Sequence, residues 1–117
     1  MKFGRSKLGI VAGIMTAGLV IAGVEALAHG QVAGDALFGA VAGGYGLGAF
    51  GGSLLALRLS GARWTAVVVT MVLALLAIVN LFAMPHPMWF VPVAGATLAA
   101  GHFAGVAARR SGSRALP

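Results

Sequence analysis

The sequence predicts an all-α integral membrane bundle of four transmembrane helices, with both termini on the cytoplasmic side. Three observations carry that expectation. Only 9% of the 117 residues are charged and 60% are hydrophobic, whereas a soluble domain carries roughly 25% charged residues. Such a chain has too little charge to face water on all sides. Four apolar segments follow one another, each about 20 residues long, and about 20 residues at roughly 1.5 Å rise cross a hydrocarbon core of about 30 Å. All eight Lys and Arg fall at one end of that up-and-down arrangement.

The first segment, 8–28, follows Lys2, Arg5 and Lys7. A basic lead and Ala-Leu-Ala at 26–28 also fit a secretory signal peptide. The apolar stretch, however, exceeds an h-region of about 7–15 residues, and Glu25 stands just before the cleavage position, so the segment is expected to remain as a span. Cleavage would leave three spans that still obey the charge rule. "HGQVAGD" (29–35) then turns the chain, with Asp35 expected as the N-cap of the second segment, 35–57. "RLSGAR" (58–63) supplies a Ser-Gly turn with Arg58 and Arg63. The third segment, 64–84, has no glycine and is rich in Val and Leu.

"PHPM" (85–88) comes next. Pro85 and Pro87 cannot continue a helix and push their predecessors toward extended geometry, so this is a stiff turn. The fourth segment, 89–108, is followed by Arg109, Arg110 and Arg114 in a basic tail, "RRSGSRALP", expected to be unstructured and to act as a topological anchor. Because the other two connections hold no Lys or Arg, the positive-inside rule places both termini in the cytoplasm. Trp64 and Trp89 begin their spans at opposite faces, where indole prefers to sit. With no cysteine there is no disulfide, thiolate metal site or thiol nucleophile. The net charge of +6 would suggest nucleic acid in a soluble protein; here it reports topology, and no nucleic-acid partner is expected.

Glycine crowds the second segment, with four-residue spacing at Gly39/Gly43 and Gly44/Gly48/Gly52. The same spacing recurs at Gly9/Gly13 and Gly101/Gly105. Small residues four apart let membrane helices approach closely, so helix packing is the plain reading, with a dimer contact, a glycine-lined pathway or a bending helix as alternatives. The second helix should lie at the centre and the third should be the most lipid-exposed. "GGYGLGAFGG" (43–52) superficially matches a phosphate-binding loop, but it lies inside a span with no preceding strand.

Both acids, Glu25 and Asp35, belong to the outer side. Glu25 shares a helical face with His29, Asn80 lies at a similar depth, and His86 sits in the turn above it, so these five residues are expected at one outer mouth. Three readings remain open. The residues could form a hydrogen-bonded clasp between helix ends, or a proton site relaying between Glu25 and the histidines. Glu25, His29 and His86 could also hold a metal such as zinc. His102, in the inner half of the fourth span, is within reach of Tyr45; a His–Tyr hydrogen bond is expected there, and haem ligation is disfavoured because the other two histidines lie at the opposite end. Thr16, Thr70 and Thr97 are expected to bond back to their own helices. A Ser–His–Asp triad would have to cross the membrane, since the serines lie toward the inner side and the acids outside.

"VEALAHG", "LGAFGG" and "NLFAMPHPMWF" resemble a loose group of short bacterial inner-membrane proteins. These share an E-A-L-x-H end to the first span and an N-L-x-x-x-P-H-P-x-W-F turn. The resemblance implies a four-span inner-membrane topology with an uncleaved first span and points at Glu25, His29, Asn80, Pro85, His86, Pro87 and Trp89. This chain departs from the group in its much shorter first outer loop, and the group brings no activity. The expectation is therefore a non-enzymatic accessory or assembly protein without a cofactor, in contact with lipid and associating as a homodimer or within a membrane complex. The alternative is a small proton- or metal-coupled carrier.

Overall fold

The structure is a computed structural model that describes residues 2–83 and 85–115, with side chains at 4–83 and 85–109. The expected end of the third span at Met84, and the side chains of Lys2, Arg110 and Arg114, lie outside the described residues. Four α-helices run up and down in chain order: α1 (Lys2–Gln31), α2 (Asp35–Ser60), α3 (Arg63–Ala83) and α4 (Phe90–Ala115). Among the described residues there is no strand. Each helix contains a stretch long and apolar enough to cross a membrane, and a helix is how such a stretch keeps every backbone polar group bonded in lipid. Helix α4 continues through Ala115, so residues 109–115 of the tail expected to be unstructured extend the last helix, and residues 116 and 117 lie outside the described residues. Its Ala, Arg and Ser residues continue the helical hydrogen bonding past the apolar segment. The longest dimension is 47 Å, which exceeds a hydrocarbon core of about 30 Å.

The two tight turns rest on glycines at positive φ. Gly34, at φ 64°, precedes α2 without a side-chain cap; Asp35 is thus the first helical residue rather than the cap. Gly61, at φ 74°, closes α2 by donating its N–H to the Leu57 carbonyl at 2.8 Å. No other described residue has positive φ, and only Gly takes these values without a steric cost. The α2–α3 turn is tied further by Ser60 and Thr65, whose hydroxyls lie 2.7 Å apart. Arg5 Nε also donates to the Leu59 carbonyl at 3.2 Å, holding the start of α1 to the end of α2.

Helix α2 is the centre of the bundle. Half of its apolar window is buried, against 28% for α4, 22% for α3 and 11% for α1. Gly44, Gly48 and Gly52 face α1, and Gly46 faces Thr97 of α4. A Cβ placed on Gly52 would lie 2.7 Å from the Gly13 carbonyl oxygen, and one on Gly13 would lie 2.7 Å from that of Gly52. Gly9 meets the Ala56 carbonyl in the same way, Gly48 packs on Ala17 and Ile21, and Gly44 on Val24. On the other side, Gly101 approaches the Gly46 carbonyl and Gly105 the Phe50 carbonyl. Gly39 and Gly43 differ from the expectation, because nothing lies within 4 Å of where their Cβ atoms would be. They face away from the three neighbouring helices.

Helix α1, not α3, is the most exposed span. It docks through glycine and alanine, so Leu8, Val11, Met15, Leu19 and Leu27 all point outward. Helix α3 has no glycine and inserts side chains instead: Ala66, Val69, Leu73 and Ala77 are buried. The Val69 methyls reach the Gly13–Gly52 crossing itself.

Two substitutions separate these environments. Gly52→Ala should destabilise the bundle by about 1–3 kcal/mol through overpacking, whereas Gly43→Ala should be neutral or stabilising by about 0.5–1 kcal/mol through helix propensity. Thermal unfolding of both variants in one detergent measures the difference.

Candidate functional site

All four helices meet around a cavity of about 170 Å³ at the end that carries the α1–α2 and α3–α4 connections. Helix α1 contributes Glu25 and His29, one turn apart on one face. Helix α2 contributes Leu37, Phe38, Val41 and Tyr45; α3 contributes Asn80 and Leu81; and the proline turn with the start of α4 contributes Pro85, His86 and Phe90. Four of the five polar residues expected at the outer mouth, Glu25, His29, Asn80 and His86, thus line one cavity. Asp35 does not line it. Its carboxylate accepts a hydrogen bond from the Trp89 indole at 3.4 Å, tying the start of α2 to the start of α4.

The proline turn sets the wall. Its helix restarts with the Phe90 N–H donating to the Pro87 carbonyl at 3.1 Å, which swings His86 inward and buries Phe90. The Phe90 ring is the hub of this end: it stands edge-on to Phe38 at 5.3 Å and also meets Tyr45, His86 and Trp89. The aromatic floor of Phe38, Tyr45 and Phe90 differs from the expectation, which pairs Tyr45 with His102 and gives Trp89 a place at the membrane face but Phe90 none. The only available signal was Phe90 following the PHP turn at helical register with its neighbours.

Tyr45 in fact accepts a hydrogen bond from Asn80 Nδ2 at 3.1 Å, joining α2 to α3 below the cavity. Both chains reach this meeting point because the two helices are antiparallel and Asn80 is near the end of α3. Glu25 is half-buried, and it has no hydrogen-bond or ion-pair partner among the described residues. No three His, Asp or Glu side chains among the described residues assemble as a metal-ligand set, so Glu25, His29 and His86 share the cavity without converging on one point.

A second polar cluster lies deeper. His102 Nδ1 is 2.8 Å from Thr70 Oγ1 and 3.2 Å from Ser53 Oγ, and the two hydroxyls are 3.1 Å apart. The expected His102–Tyr45 bond is replaced by this triangle, since Tyr45 and His102 sit one on each side of an apolar layer. Thr70 therefore bonds across helices rather than to its own, while Thr97 does bond back, donating to the Ala94 carbonyl at 2.9 Å. Ser53 and His102 meet, but the third corner is a hydroxyl where a nucleophilic triad has a carboxylate. Ser53 is also fully buried. Between the two clusters α2, α3 and α4 place buried apolar residues: Ala49 on α2, Leu73 and Ala77 on α3, Ala94 and Leu98 on α4. Among the described residues no fully buried side-chain N or O lacks a partner.

No protein-family model, curated protein or solved structure matches this chain.

A double-mutant cycle tests the Tyr45–Asn80 pair. Polar contacts between membrane helices average about 0.6 kcal/mol and reach about 1.7, so Tyr45→Phe and Asn80→Ala should show coupling of that order in unfolding free energy. Additive effects of the two substitutions would mean the pair does not hold α2 to α3.

Proposed function

We propose that this chain is a non-enzymatic accessory or assembly protein of the bacterial inner membrane, with both termini in the cytoplasm. The observation that carries the reading is how the polar side chains are disposed. The Ser53–Thr70–His102 triangle closes on itself, Tyr45 bonds Asn80, and a layer of Ala49, Leu73, Ala77, Ala94 and Leu98 divides them. A polar path from one face to the other is interrupted there, which favours a structural protein over a conduit. The clustering of basic residues at one end supports the N-in, C-in orientation, and the resemblance of the Asn80–Phe90 turn to short four-span proteins supports the inner membrane.

The docking face in this reading is α2 at Gly39 and Gly43, where close helix approach is possible and none of the described residues supplies it. A second copy is the partner of first choice. Gly39→Leu/Gly43→Leu should lower the cross-linked dimer yield in liposomes severalfold, with the unfolding temperature unchanged. An unchanged yield would remove this face as the contact. Because the chain has no cysteine, Ala33→Cys and Ala62→Cys report topology cleanly: a membrane-impermeant thiol reagent added outside intact inner-membrane cells should label the first and spare the second.

The second reading is a small proton- or metal-coupled carrier, favoured by one observation, Glu25 at the cavity without a partner among the described residues. A carrier loses transport in Glu25→Gln while remaining folded. A structural protein loses only modest stability.

A further inference from the structure

A half-buried carboxylate without a partner among the described residues, set in the wall of a cavity made mostly of apolar and aromatic side chains, is unexplained by packing. We infer that the cavity between Glu25, Asn80 and Phe90 is a binding site for a small arylalkyl ammonium ion, a primary amine carrying one aromatic ring. The site belongs to the chain whether or not it transports what it binds.

Three features select that ligand. The first is charge. Glu25 is an ionisable group near the end of an apolar span, where its charge costs less than at the centre but still marks it as a candidate site residue. An ammonium donating to it would form a charge-assisted hydrogen bond in a poorly hydrated setting. Asn80 Nδ2 already donates to Tyr45, so the Asn80 amide oxygen remains as a second acceptor. The second feature is the aromatic floor. Phe38, Tyr45 and Phe90 line the cavity, with Phe38 edge-on to Phe90, an arrangement that takes a flat ring by stacking and a cation by its electron-rich faces. The third is size. The cavity holds about 170 Å³, and an apolar cavity of about 150 Å³ accepts one benzene-sized molecule. A single ring with a short ammonium arm fits, whereas pockets for drug-sized ligands begin at about 300 Å³. A bare metal ion is the poorer occupant, because no three ligating side chains assemble among the described residues and most of the lining is hydrocarbon.

The test is equilibrium dialysis of the full chain in mild detergent with 2-phenylethylamine, protonated at neutral pH, and with 2-phenylethanol, a neutral compound of the same size. Wild-type protein should take up one amine per chain, saturably and above protein-free micelles. It should bind the alcohol at least about ten-fold more weakly, the equivalent of one charged hydrogen bond. Glu25→Gln should lose at least about ten-fold in amine affinity and leave the alcohol little changed. Val41→Phe, which fills the cavity, should abolish both. Absence of saturable amine uptake, equal affinity for the two compounds in wild type, or full amine binding by a folded Glu25→Gln protein would each overturn the assignment. The two-compound comparison uses wild type alone, so the inference stays testable even where a substitution prevents folding. Failure here leaves the assembly reading intact, because that reading is measured at Gly39 and Gly43.

Discussion

The bundle depends on the close crossing of α1 and α2, where Gly13 and Gly52 leave each other's carbonyl oxygens room that a Cβ would take away. In lipid there is no hydrophobic force between apolar helices, because the acyl chains are as apolar as leucine. Association therefore rests on dispersion from close contact and on hydrogen bonds. Dispersion falls steeply with separation, which is why a pair of glycines at the crossing outweighs the exposed leucines of α1. The remaining helices build on that pair. Helix α4 repeats the device on the opposite side of α2 with Gly101 and Gly105, and α3 covers the seam with Val69.

The same contact accounts for where the cavity lies. Along α1, the residue facing α2 grows from Gly9 and Gly13, through Ala17, to Ile21 and Val24. Towards the Asp35 end the helices are thus spaced by side chains rather than backbone. There the interior is filled by rings, Phe38, Tyr45 and Phe90, which pack at centroid separations of 5.3 and 6.5 Å and leave space between them. The proline turn closes that space from above with Pro85 and His86. Cavity and crossing are two ends of one size gradient.

Polar side chains are handled in layers. An unpaired polar group in hydrocarbon costs several kcal/mol, and the chain answers by pairing across helices: Ser53 with Thr70 and His102, Tyr45 with Asn80. These contacts also set rotation and register, since α2, α3 and α4 must all present the right face at the right depth for the triangle to close. Glu25 stands outside this scheme, half-buried in the cavity wall and bonded to none of the described residues.

Composition and run lengths alone determined the all-α fold and the four long apolar helices, because the thickness of a bilayer and the need to bond every backbone group leave few alternatives to a helix of about 20 residues. The proline turn, the Ser-Gly turn and the central place of the glycine-rich second helix were legible for similar local reasons: each follows from what one residue type permits the backbone to do. The site was legible only in part. Glu25, His29, Asn80 and His86 could be placed at one end by counting rise per residue, but counting gives depth and says nothing of rotation. Rotation about the helix axis decided that Asp35 meets Trp89, that Thr70 and Ser53 rather than Tyr45 meet His102, and that Gly39 and Gly43 face outward while Gly44, Gly48 and Gly52 face α1. It also brought Phe90 to the centre of the aromatic floor. A nearly uniform apolar helix carries little pattern from which its rotation could be read; side-chain volumes at the crossings set it, and those act only once the helices are packed.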